Sequence, residues 1–115
     1  MKSITQMIRL FLPLVFISSA LASDYTGKVE NIIIRDSDGL VYIDLTGSRS
    51  NDVPECAKNR NYMKIKNENS ASGKRQLAML MLAQASNRTV AIKRANTCTR
   101  WHDGEDIVMV ILQRK

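Results

Sequence analysis

The chain is short of the residues that most catalytic centres need. It has one histidine and two cysteines in 115 residues. His102 alone cannot fill a zinc centre, and acid–base chemistry would need it paired with a nucleophile or a carboxylate. Asp103, Glu105 and Asp106 stand close by in sequence, but neighbours on one loop seldom converge on one point. Asp36-x-Asp38-Gly39 is similar to the start of an EF-hand loop, yet the position of the closing bidentate glutamate falls on Gly47. A tight turn is the better reading. No catalytic residue, no metal and no cofactor is expected.

Long apolar runs are also missing. The N-terminal run Leu10 to Ile17 contains Pro13 and is far shorter than the roughly 20 residues of a membrane-spanning helix. Lys2 and Arg9 precede it, and Ser18, Ser19, Ala20, Leu21 and Ala22 follow it. A positive start, a short apolar stretch and an A-x-A ending make a signal peptide over residues 1–22, cleaved after Ala22. No cysteine follows that could carry a lipid. Residues 23–115 are then a single domain in a secreted or periplasmic protein, with no membrane span after cleavage. The signal has a bacterial character, where the sequon Asn87-Arg88-Thr89 has no meaning.

In an exported protein two thiols most simply form one bridge, here Cys56 to Cys98. A domain this small has a thin core, so a crosslink matters. The chain holds 17 Lys+Arg against 11 Asp+Glu. Lys2 and Arg9 leave with the signal, and the remaining basic residues are scattered among Asp, Glu and Asn. Nucleic-acid domains concentrate their charge instead, so no nucleic acid is expected.

There are no repeats. Tyr25 to Arg35 is rich in β-branched residues and predicts a first strand. Asp36-Ser37-Asp38-Gly39 supplies a turn. Leu40 to Thr46 alternates, with Val41, Ile43 and Leu45 on one face, and predicts the second strand of a hairpin. Gly47 to Asn61 is irregular. Tyr62 to Lys66 is a short third strand. Ser70 to Ser86 predicts one helix, capped by Ser70 or Ser72 and closed by Asn87. Thr89 to Lys93 is a fourth strand with Val90 and Ile92 inward. Asp106 to Gln113 is a fifth, apolar on both faces, and so central or against a partner.

The order β-β-β-α-β-β is that of a mostly β, α+β fold: a five-stranded OB-like barrel with one helix and one disulfide. An antiparallel α+β sheet would give the same string. Closing five short strands removes vulnerable edges and favours the barrel. Export, small size, this element order, one disulfide and a Met/Leu/Ala-rich helix after the third strand together resemble the B subunits of AB5-type bacterial toxins and related small secreted OB-fold proteins. The resemblance is one of architecture. It implies a binding module that assembles with copies of itself. The cysteine placement differs from the cholera-type pattern, and no sugar-binding motif matches residue by residue.

The sole tryptophan, Trp101, lies three residues from Cys98 and between Arg100 and His102. An aromatic face with adjacent donors can stack on a sugar or anchor a protein partner; a Trp beside a disulfide can equally just cover it. Arg100, Trp101 and His102 are the candidate ligand-binding residues. On the helix, Leu77, Ala78, Met81, Leu82 and Ala85 fall within an arc of about 140°, expected to cap the barrel. Gln76, Met79, Leu80 and Ala83 form a second arc, either the candidate oligomer interface or a patch covered by the Gly47–Asn61 loop. The chain reads as an exported, non-enzymatic binding or assembly module for a glycan or protein partner. The competing reading is a small monomeric periplasmic inhibitor or stress protein.

Overall fold

The computed structural model describes residues 24–47 and 49–114. The signal segment lies outside the described residues. The elements are β1 (Tyr25–Ile34), β2 (Val41–Leu45), a 3-10 turn (Glu55–Ala57), β3 (Met63–Ile65), α1 (Ala71–Ser86), β4 (Thr89–Arg94) and β5 (Glu105–Leu112). This is the expected order, with boundaries that shift by a residue or two.

β1 serves two partners. Residues 25–28 pair antiparallel with β4, and residues 29–34 pair antiparallel with β2, with a register shift between Val29 and Asn31. Such an irregularity bends a strand and lets it pass from one neighbour to the next. β2 pairs antiparallel with β3, β3 runs parallel to β5, and β5 pairs antiparallel with β4. The mixed five-stranded sheet therefore closes in the order β1-β2-β3-β5-β4.

Alternation decides what faces inward. Val41, Ile43 and Leu45 of β2, Val90 and Ile92 of β4, and Met63 and Ile65 of β3 are buried together with Tyr25, Val29, Ile107 and Val110. The turn between β1 and β2 is built as the sequence predicts. Gly39 takes φ +74, where a side chain would be strained. The Asp38 carboxylate accepts hydrogen bonds from the Leu40 amide and the Arg35 guanidinium.

The helix begins and ends where expected. The Ser70 hydroxyl accepts from the Gly73 amide at 2.9 Å, and Asn87 closes the helix in the left-handed conformation. Its faces differ from those expected at every residue of the predicted core arc except Leu77. Leu80 and Ala83 are fully buried in the core, and Leu77 and Met79 pack against it. Met81 and Leu82, assigned to the core, are 54% and 51% exposed, and Ala78 and Ala85 are exposed. Leu80 and Ala83 are thus not available as an oligomer interface, and Gln76 is half-buried with its amide donating to the Val108 carbonyl.

Two features absent from an apolar count select this face. A Cβ on Gly73 would collide with the Asn67 backbone carbonyl, so only the glycine side of the helix can come this close. Gln76 and Gln84 lie on the same side and donate to the carbonyls of Val108 in β5 and Glu30 in β1. These two glutamines bind the helix to two strands that are not neighbours in the sheet.

β5 lies between β3 and β4, as its apolar character suggests, but it is not covered along its length. Val108, Met109 and Ile111 are 53%, 48% and 37% exposed. Pairing with β3 ends at Ile107, and a register shift opposite Lys93/Arg94 displaces Val108 from the ladder.

Candidate functional site

The outward side chains of β2 and β3 and the loops at their ends form one groove of about 350 Å³. Alternation places Tyr42 outward between buried Val41 and Ile43. Lys64 lies opposite Tyr42 across the β2–β3 ladder. Tyr62 stands just before β3, and its ring meets that of Tyr42 edge to face at 5.0 Å. Arg35 and Leu40 come from the β1–β2 turn, and Trp101 and Asp103 from the β4–β5 loop. Arg60 completes the lining from the segment before β3.

Charge and aromatic surface alternate around this groove. The Arg35 guanidinium sits 4.2 Å from the centre of the Trp101 ring, a cation–π contact. The Lys64 ammonium lies 5.9 Å from the Tyr42 ring centre and donates to Asp103 at 2.6 Å. Its side chain is only 3% exposed. A Cβ on Gly104 would collide with that ammonium, so glycine here is what gives the buried lysine its room. Arg60 approaches the other Asp103 oxygen at 3.5 Å. The hydrogen bond from Lys64 holds the Asp103 carboxyl below its ordinary range.

A buried carboxylate fixes the loop that presents Trp101. Asp106 is fully buried and accepts from the Thr97 hydroxyl, the Thr99 amide and hydroxyl, and the Arg100 amide. Burial alone would raise its pKa; the hydrogen bonds outweigh burial and lower it. The same loop is tied at Cys98 to Cys56, 42 residues away. The sequence-predicted bridge is therefore present, and it joins the two longest irregular segments.

A second polar cluster holds the 49–58 segment. Arg94 and Glu105 form a fully buried ion pair at 2.8 Å, and Arg94 also reaches Asp52 at 3.1 Å. Arg49 donates to the Ala57 carbonyl at 2.7 Å. These contacts fasten the loop across one end of the sheet.

Of the three candidate ligand residues, the structure brings Trp101 into the groove. Arg100 turns away from it: its guanidinium makes two 2.9 Å bonds to Glu68 and one to the Asp38 carbonyl, joining the turn, the helix approach and the β4–β5 loop. That pairing lowers the Glu68 pKa. His102 is exposed, with its ring 4.9 Å from that of Trp101. Tyr42, Tyr62, Lys64, Arg35, Arg60 and Asp103 were missed by sequence reading. The alternation of Tyr62 and Lys64 with Met63 and Ile65 was the available signal, since it marks them as an outward pair.

A larger hollow of about 720 Å³ opens at the N-terminus of α1. Most of its polar groups, Lys66 and Ser72 excepted, are committed to the fold: Ser70 caps Gly73, Gln76 bonds Val108, and Arg100 bonds Glu68. None of its lining residues is aromatic. The groove at Trp101 is the better candidate.

Among the described residues no group of His, Cys, Asp and Glu is arranged to hold a metal, and no helix is long and apolar enough to cross a membrane. Compared with known proteins, the chain matches no protein family, no curated protein and no solved structure.

Proposed function

We propose that this protein is an exported, non-enzymatic binding module built on an OB-type barrel, and that it takes a saccharide in the groove between the β1–β2 turn and the β4–β5 loop. The observation that carries this reading is the convergence of Tyr42, Tyr62 and Trp101 with Arg35, Arg60, Lys64 and Asp103 on one recess. Sugars offer apolar ring faces to aromatics and hydroxyls to charged donors and acceptors. In OB-type barrels the face of the second and third strands, with the loops after the first and fourth, is the usual place for oligosaccharides. The disulfide suits a chain made for an oxidising compartment.

The test is a glycan array probed with the wild-type protein and with Trp101→Ala. Retention of a defined glycan set that is lost in the variant supports the reading. Retention unchanged in the variant contradicts it.

A second reading, self-association, is favoured by a separate observation. Val108, Met109 and Ile111 of β5, with Met81 and Leu82 of α1, expose large apolar side chains. Sedimentation of wild type against Met109→Lys decides this. A monomeric wild type ends the idea.

A further inference from the structure

The ionic partners around the groove do not balance, and the imbalance is local. Arg35 is matched by Asp38 in its own turn. Arg100 is matched by Glu68 through two hydrogen bonds, with Asp38 a further 3.9 Å away. Lys64 and Arg60 share one carboxylate, Asp103, at 2.6 and 3.5 Å. Lys64 is nearly sealed from water, so it takes the closer contact and most of that charge. Arg60 is left at the rim, 57% exposed, with a long contact to a carboxylate already engaged.

We infer that the ligand of this groove carries an anionic group, a carboxylate or sulfate on a sugar, which pairs with Arg60 beside the Lys64–Asp103 couple while its ring lies against the Tyr42 and Trp101 surface. This rests on the saccharide reading above and adds the ligand's charge. An arginine guanidinium is suited to such a group, because its planar donors meet two oxygens at once. The ligand has no need to displace Asp103: that carboxylate stays on Lys64, whose position is fixed by the space at Gly104.

The experiment uses an array in which each neutral oligosaccharide is printed beside its uronate, sialylated or sulfated counterpart. Three proteins are compared: wild type, Arg60→Gln, and Lys74→Gln. Lys74 is exposed on the first turn of α1 and outside the groove lining, so the last variant removes the same charge elsewhere. The expected result is selective retention of acidic members by wild type and by Lys74→Gln, with about a tenfold loss of affinity in Arg60→Gln. Retention of neutral members with no acidic preference overturns the inference and leaves the saccharide reading standing. Retention of acidic members that falls equally in both variants overturns it too, since net charge would then be the cause. No retention of any member removes the saccharide reading and this inference together. Because Arg60 is exposed, its substitution is not expected to disturb folding, and a melting curve verifies that.

Discussion

The end of the barrel closed by α1 and the side clasped by the two long loops are held by different forces. At the helix end Leu80 and Ala83 enter the core, Leu77 and Met79 pack over it, and Gln76 and Gln84 add hydrogen bonds to strand carbonyls. On the loop side the fastenings are the Cys56–Cys98 bridge, the buried Asp106 carboxylate, the Arg94–Glu105 pair and the Lys64–Asp103 pair. Apolar packing is non-directional and tolerates exchange of one side chain for another of similar volume. Charged hydrogen bonds fix direction and distance, and they cost free energy when one member is lost. The division matches the work of each region: the helix end stabilises the fold, and the loop side sets the shape of the groove.

The largest expected effect breaks the loop side. Cys98→Ser, with Cys56→Ser to avoid a stray thiol, should cost up to about 4 kcal/mol, the loop-closure value for a bridge of this span. Calorimetric melting measures it, and the unaltered protein should show no free thiol when denatured without reductant. Two titratable thiols would remove the bridge from the account.

The next effect separates the helix faces. Leu80→Ala should cost about 3 kcal/mol, because it deletes a fully buried side chain and leaves a cavity. Leu82→Ala, on the exposed face, should change stability by less than about 0.5 kcal/mol. Urea unfolding of both variants gives the comparison. Equal costs would mean that the helix is rotated from the orientation described.

A smaller effect isolates the loop clamp. Asp106→Asn turns an amide donor towards groups that themselves donate, at a cost of about 2 kcal/mol. Hydrogen exchange should accelerate at the Thr99 and Arg100 amides while Ile43 and Ile92 in the core stay protected.

The smallest effect is set by pH. Asp103, Glu68 and Asp106 all have lowered pKa values in the fold. A carboxylate with a depressed folded pKa contributes stability that is present above its unfolded value and lost as pH falls towards the folded one. Stability should therefore be level near neutrality and decline below about pH 5, where unfolded carboxylates begin to protonate. Melting temperatures taken from pH 7 down to pH 2 trace this. Asp106→Asn should flatten part of the decline, and Leu80→Ala should leave its slope unchanged.

Much of the strand pattern was legible because alternation is a local property. Val41, Ile43 and Leu45 announce an inward face within five residues, and Ser70 and Asn87 mark the helix ends by their own chemistry. The bridge was legible from the pairing of two cysteines in an exported chain. The helix orientation was not. Leu77 to Ala83 is apolar on every side, so periodicity carries no preference, and the choice falls to Gly73 through a close approach to Asn67 that no sequence pattern displays. The groove was half legible for a related reason. Trp101 stands out as a single tryptophan, but its partners Arg35, Tyr42 and Lys64 come from other strands and turns and meet it only when the sheet closes. Arg100 is held away from the groove by Glu68, a partner 32 positions away that no local pattern displays.

The most direct test of the central claim uses the single tryptophan as a reporter in the groove. Once an array identifies a retained saccharide, that saccharide is titrated into the protein while Trp101 emission and calorimetric heat are followed together. The account predicts a shift in Trp101 emission that saturates at the calorimetric affinity and disappears in Tyr42→Ala, whose fold a melting curve verifies. Saturable heat with unchanged Trp101 emission would place the ligand elsewhere on the molecule and contradict the account.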